Sequence, residues 1–198
     1  MTPMKRTRHG LCSTWLSHLD PHNARLLVPV WIKGGLRFPD VSVPLILVGP
    51  GTGCAPFRAL VEERISMSMS SVVAPIMFFF GCRHEEDDFL YKEFWLAQTQ
   101  GSGVFSEEKG GGFYVAFSRD QARKVYVQHK IEEQSEKVWT MLNAGCAVYI
   151  AGSAVKMPSD VFSALERVVM QKGGMSEEAA RRWLKQLERV GRYHVEAW

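Results

Sequence analysis

Four continuous apolar runs set the strongest limit on how this chain can fold: PLILVG (Pro44–Gly49), APIMFFFG (Ala74–Gly81), FYVAFS (Phe113–Ser118) and AVYIAG (Ala147–Gly152). They show little alternation between apolar and polar residues. A strand with one wet face alternates, and a strand covered on both faces does not, so the runs predict central strands of a parallel sheet. Helical signals lie between them. One helix is expected from Pro56, a residue suited to a first helical turn, to about Met67. Others are expected near Asp87–Gln98, Val127–Asn143, Ser159–Gln171 and Ser176–Val190, the last opening on Ser176 with Glu177 and Glu178 behind it. Arg192–Trp198 reads as a short fifth strand. Strands alternating with helices predict an α/β architecture, a parallel sheet with helices on both faces.

The first forty or so residues break that rhythm. Leu11–Leu19 reads as a short helix, Leu26–Ile32 as a strand interrupted by proline, and Gly34–Asp40 as a turn and a short extended piece. This region is expected to be the end of a preceding domain, with 1–42 as its remnant and 43–198 as the α/β domain. Ser106–Gly112 reads as a flexible surface loop. At 46% hydrophobic and 23% charged, the composition is that of a globular protein. The net charge of +3 is spread along the chain, which argues against a nucleic-acid partner. No apolar run is long enough to span a bilayer and no signal peptide opens the chain. Cys12, Cys54, Cys82 and Cys146 lie far apart without a CxxC pair, so they read as free thiols in a reducing compartment, with no metal site.

In an open parallel sheet, ligands gather at the carboxyl ends of the strands. After the first run comes GPGTGCAP, where Gly51, Thr52 and Gly53 offer backbone N–H groups and a hydroxyl to a phosphate at a helix start; a plain tight turn is the equal alternative. After the second comes GCRHEEDD, where Arg83 suits a base or a phosphate, or simply the acidic helix start beside it. After the third comes SRDQARKVYVQ. Ser118, Arg119 and Lys124 supply a hydroxyl and two cations, and Tyr126 a flat face. A 2′-phosphate with its adenine wants that set, whereas an NAD ribose favours an acid. The alternative is a helix start that is merely basic, which the helix dipole disfavours. After the fourth run, small residues leave room for a ring, and Asp160 either accepts from a ligand or caps the next helix; the residue pattern alone favours the cap. After the fifth stands Trp198, an indole that either faces a ligand or plugs against the last helix.

Taken in order, VGPGTGCAPF, FFGCR, VAFSRDQARKVYVQH, VYIAG and a C-terminal aromatic resemble the NADPH-binding half of the diflavin reductases. These are relatives of plant-type ferredoxin–NADP reductase and include cytochrome P450 reductase. The resemblance covers nearly the whole chain, and GLCSTWL with the turn after Ala151 is most similar to the branch that serves cytosolic iron–sulfur assembly. It implies a Rossmann-like five-stranded NADPH-binding domain preceded by the remnant of an FAD-binding β-barrel domain. It also implies NADPH and FAD as cofactors, a cytoplasmic flavoprotein oxidoreductase, and hydride transfer from NADPH to FAD. Electrons would then pass through FMN to an anamorsin-type iron–sulfur protein.

By the same resemblance, Gly51, Thr52 and Gly53 meet the NADPH phosphates, with Arg83 at the same strand-end edge. Ser118, Arg119, Lys124, Val125, Tyr126, Val127 and Gln128 hold the 2′-phosphate and adenosine, and Asp160 lies near the nicotinamide half. Gly10, Leu11, Cys12 and Ser13 correspond to an FAD pyrophosphate segment. Trp198 corresponds to an aromatic that stacks on the flavin and moves aside for nicotinamide, and with Glu196 it is the catalytic candidate. Two positions depart from P450 reductase: Ala151 replaces a cysteine credited with helping the hydride step, and Glu196 replaces an aspartate. An Arg-x-Tyr-Ser flavin segment and an FMN domain are expected upstream of Met1. Two alternatives stay open: a truncated NADPH-binding module without turnover, and service to a cytochrome P450 or sulfite reductase system.

Overall fold

The computed structural model describes residues 9–23, 25–31 and 35–198. The chain divides into two compact units, Met1–Gly35 and Leu36–Trp198. In the first, α1 (Leu11–Ser17) buries none of its residues. Residues 26–31 form no strand, against the expectation for Leu26–Ile32; Ile32 lies outside the described residues. A strand exists by pairing, Pro29 has no N–H to donate, and no partner strand is present among the described residues of this unit. Of the piece expected at Gly34–Asp40, Gly34 lies outside the described residues and 35–40 has no regular structure.

The second unit follows the apolar runs. They become β1 (Leu45–Val48), β2 (Ile76–Cys82), β3 (Gly112–Phe117) and β4 (Ala147–Gly152), and β5 (Tyr193–Ala197) completes the sheet. All neighbours are parallel, in the order β3-β2-β1-β4-β5. Successive side chains point to opposite faces, and both faces are dry. Ile46, Val48, Phe79, Val148 and Ile150 pack on one side, and Leu45, Leu47, Phe78, Phe80 and Tyr149 on the other. β1 and β4 are buried throughout, which is why they read as unbroken apolar runs. Edge strand β3 is only half-buried.

The helices cover these faces with stripes at helical spacing. α2 (Ala55–Ser68) buries Phe57, Leu60, Val61 and Arg64. α7 (Met157–Gly173) buries Val161, Ala164, Leu165, Val168 and Val169, and α8 (Glu177–Arg189) buries Ala180, Leu184 and Leu187. Ser176 caps α8 by accepting from the Ala179 N–H at 3.3 Å. Two expected helices are interrupted. Asp87–Gln98 is α3 (Glu85–Asp88) and α4 (Lys92–Ala97), separated by Tyr91 in a left-handed conformation, φ 58°. That bend seats buried Trp95, whose indole N–H donates to the Leu90 carbonyl at 2.8 Å. Val127–Asn143 is α5 (Val127–Glu133) and α6 (Ser135–Asn143), broken at Gln134, where ψ reaches 23°. The expected flexible loop Ser106–Gly112 is built rather than loose. Ser106 is buried, its carbonyl accepts from Gly111 N–H at 3.0 Å, and Gly112 opens β3.

The path runs β1, β2, β3 outward and then returns to β4 on the other side of β1. Connections therefore diverge between β1 and β4, and a crevice opens at the carboxyl ends there.

Candidate functional site

A cavity of about 750 Å³ occupies that crevice, within the roughly 300–1,000 Å³ usual for a small-molecule site. The end of β1 contributes Pro50, Gly51 and Thr52. Gly51 adopts φ +57° with open space where a Cβ would stand, so the turn is left-handed and its outer side is free. Gly53 is different. It is buried, does not line the cavity, and a Cβ on it would stand 2.0 Å from the Ala151 carbonyl oxygen. The missing side chain seats the turn on β4, and α2 follows directly.

The end of β2 contributes Gly81, Cys82 and Arg83. Asp88 grips the Arg83 guanidinium at 2.7 and 3.1 Å, and also accepts the His84 N–H at 3.2 Å. Arg83 thus pairs with the acidic helix start and still faces the cavity. The Arg83 hydrogen bond holds the Asp88 carboxyl below the usual range. Burial, with Asp88, Asp120 and Glu85 nearby, pushes the Cys82 thiol up to about 11. It is a neutral wall at physiological pH.

After β3 the ladder continues for two more bonds: Ser118 N–H donates to Cys82 and Arg119 N–H to Arg83, both at 2.9 Å. Ser118 and Val125–Gln128 line the cavity. Arg119 and Lys124 do not line it; both are exposed and, with Arg123, make no ion pair among the described residues. Tyr126 stands just ahead of α5 with its ring half-exposed, and its N–H donates to His129 Nδ1 at 3.0 Å.

Beyond β4, Ser153, Lys156, Met157 and Asp160 complete the wall. The expected capping role of Asp160 is not what the structure has. α7 begins at Met157 with Pro158 in its first turn, which places Asp160 inside the helix. Its carboxylate instead accepts from Gln128 Nε2 at 3.4 Å, linking α5 to α7, with Lys156 Nζ at 3.8 Å.

β5 pairs Glu196 with Ala151 and Ala197 with Gly152. Trp198 extends that pairing: its N–H donates to the Gly152 carbonyl and its own carbonyl accepts from Ala154 N–H, each at 3.0 Å. The indole is 59% exposed, so it is not a plug against α8. Neither it nor exposed Glu196 lines the cavity. Gly10, Leu11, Cys12 and Ser13 lie in the Met1–Gly35 unit, all exposed, with Ser13 Oγ donating to the Gly10 carbonyl at 3.3 Å.

Lining residues not anticipated from the sequence include Leu90, Ser153, Lys156 and Met157. The strand-end rule covers the last three, which follow β4 directly. Leu90 is placed by the left-handed bend at Tyr91, for which the sequence carries no glycine signal. Among the described residues, no three His, Cys, Asp or Glu cluster as metal ligands, and no helix is long and apolar enough to cross a membrane.

The chain is 60% identical over 200 residues to NADPH-dependent diflavin oxidoreductase 1 of Arabidopsis thaliana, an alignment covering all of this chain and 32% of the relative. It is 34% identical over 203 residues to human NADPH–cytochrome P450 reductase, covering the whole chain and 29% of that protein. It is 39% identical over 195 residues to the flavoprotein alpha-component of sulfite reductase [NADPH] from Photobacterium profundum, covering 98% of the chain and 31% of the relative. The chain thus spans about a third of the length of the curated relatives it matches. The model of the oxidoreductase NAD-binding domain matches residues 47–162. That segment contains every strand end that lines the cavity, and the chain belongs to the oxidoreductase NAD-binding domain family.

Proposed function

We propose that this chain is the NADPH-binding part of a diflavin reductase, an NADPH-dependent flavoprotein oxidoreductase. The observation that carries the reading is the loop after β3. Arg119, Arg123 and Lys124 carry no ion pair among the described residues, beside a hydroxyl, Ser118, and an aromatic face, Tyr126, that line the cavity. Elsewhere in the same unit, cations such as Arg58, Lys92, Arg167 and Arg181 face carboxylates of the chain itself. Cations without internal partners suit a dianionic ligand group, and a 2′-phosphate is one.

The cavity fits the rest of the nucleotide. Ser118, Arg119 and Lys124 would hold the 2′-phosphate, and Tyr126 the adenine face. The outward-open turn at Gly51 and Thr52 would hold the pyrophosphate at the start of α2. Asp160 would orient the nicotinamide half, and its bond from Gln128 links it to the adenosine side of the site. When bound, NADPH supplies a hydride to the FAD. The chain's contribution is to orient the nucleotide and shield it from water, and neutral Cys82 adds no charge to the cavity wall. The exposed indole of Trp198 is free to lie against a flat ring and to yield its place.

The finer reading is that electrons continue through FMN to an anamorsin-type iron–sulfur protein in the cytoplasm. Its support is the sequence resemblance to that branch, with Ala151 where P450 reductase carries cysteine. The test of the core reading is binding. The chain should prefer 2′,5′-ADP over 5′-AMP, and Arg119→Ala with Lys124→Ala should abolish the preference. A double variant that keeps it would refute the assignment. Electron transfer from the complete reductase to each acceptor class tests the finer reading, and preferred reduction of a P450 or a sulfite reductase would replace it.

A further inference from the structure

The loop bearing the unpaired cations is fixed at its ends through its backbone N–H groups: Ser118 to the Cys82 carbonyl at the end of β2, Arg119 to the Arg83 carbonyl just after it, and Tyr126 to His129 Nδ1. Between those ends, one side chain ties it to a segment distant in the chain among the described residues. Asp120 Oδ2 accepts the Glu85 N–H at 2.9 Å, and Oδ1 lies 2.8 Å from His84 Nδ1. Gln121 reaches only back to the Phe117 carbonyl at the end of β3, the strand from which the loop leaves. Both partners of Asp120 directly follow Arg83, whose guanidinium Asp88 already grips. The two strand-end segments are therefore fastened into one frame.

On charge alone, Asp120 is out of place. It stands next to Arg119 and close in sequence to Arg123 and Lys124, where a carboxylate opposes an incoming phosphate. Its two contacts to the neighbouring turn are what it offers in return. We propose that Asp120 is a positioning residue for nucleotide selection. By clasping the Ser118–Tyr126 loop to the turn after β2, it fixes where Arg119 and Lys124 present their charges, and so sets discrimination for a nucleotide bearing a 2′-phosphate. The inference rests on the NADPH reading of the same site.

The experiment is calorimetric titration of the chain with 2′,5′-ADP and with 5′-AMP, for wild type, Asp120→Ala and Asp120→Asn, with a thermal melt of each. Equal binding of the two nucleotides by the wild type would sink the NADPH reading itself. Given a selective wild type, Asp120→Ala should lower 2′,5′-ADP affinity about tenfold and leave 5′-AMP within about twofold, because charge-assisted contacts depend steeply on placement. Asp120→Asn can still accept from Glu85 N–H and meet His84, and should bind 2′,5′-ADP at least as tightly as wild type. Simple removal of a repelling charge predicts the opposite sign for alanine, so an Asp120→Ala variant that binds 2′,5′-ADP as well as wild type or better overturns the proposal. Equal loss for both nucleotides also overturns it. If alanine prevents folding, asparagine decides, and loss of selectivity there overturns the clasp.

Discussion

The turn after β1 and the loop after β3 read alike in the sequence, as two places where a phosphate could sit, yet the structure builds them in opposite ways. The first is set by packing. Gly53 rests against the Ala151 carbonyl, Cys54 and Phe57 are fully buried behind it, and Gly53 N–H donates to the Pro50 carbonyl at 3.1 Å. The second is held by backbone hydrogen bonds and the Asp120 clasp, with little packing around it. Residues 119–124 are all exposed, and its cations find no carboxylate among the described residues. A glycine in the first turn answers to its neighbours. A lysine or arginine in the second answers to something that arrives from outside.

The difference can be broken most sharply at Gly53. Gly53→Ala would drive a Cβ into backbone that cannot move aside, and should destabilise the unit by about 3 kcal/mol, the upper range for overpacking. Urea unfolding measures it. A loss near zero would mean that the turn is not held by β4, and the contrast would collapse from that side. From the other side, the Arg119→Ala, Lys124→Ala double variant should leave the urea midpoint unchanged. It should weaken 2′,5′-ADP about a hundredfold, the combined worth of two charge-assisted hydrogen bonds. A double variant that unfolds more readily would show that these cations do serve the fold.

The same contrast explains what was legible in the sequence. The strands were, because burial on both faces leaves a run with no polar interruption, as in Leu45–Val48 and Ala147–Gly152. The strand-end rule then pointed to Gly51, Thr52, Arg83, Ser118, Tyr126 and Asp160, which line the cavity, and to Gly53, Arg119, Lys124 and Trp198, which do not; Val125, Val127 and Gln128, also in the lining, came from the family resemblance. What escaped was set by partners distant in the chain. Gly53 looked like a phosphate glycine because its true neighbour, Ala151, is a strand away. The bond from Asp120 to Glu85 crosses 35 residues. Tyr91 turns left-handed without a glycine, to seat Trp95. The start of α7 was the exception, since Pro158 did carry the signal that Asp160 is too late to be the cap. Residues 26–31 have the composition of a strand but no partner strand among the described residues of their unit, and composition alone does not pair a backbone.

A smaller effect sharpens the comparison within the first turn. Thr52 is exposed where Gly53 is buried, although the two are adjacent. Thr52→Ala should therefore leave stability within about 0.5 kcal/mol, as surface changes usually do. It should weaken NADP⁺ binding about tenfold, the lower worth of a hydrogen bond to a charged group. If instead stability falls and binding holds, the hydroxyl belongs to the turn and not to the ligand.

The smallest effect is an expected silence. Cys54 behind the first turn and Cys82 beneath the second segment both have thiols pushed up to about 11 by burial, and Cys146 to about 12. Alkylation needs the thiolate. At pH 8 a thiol with a pKa near 11 is ionised in only about one molecule in a thousand. Iodoacetamide should therefore mark exposed Cys12 and leave Cys82 unmodified, although Cys82 forms part of the cavity wall. The sign of the pH dependence follows from the same shifts. Below about pH 7.5 these thiols are neutral in the folded and unfolded chain alike, so they add no pH slope. From about pH 8 to 11 the unfolded chain releases protons that the folded chain keeps, and stability falls as pH rises. The urea midpoint should be lower at pH 10 than at pH 7.5. Rapid alkylation of Cys82 at pH 8 would show that the cavity wall carries a reactive thiolate, and that burial does not hold the thiol neutral.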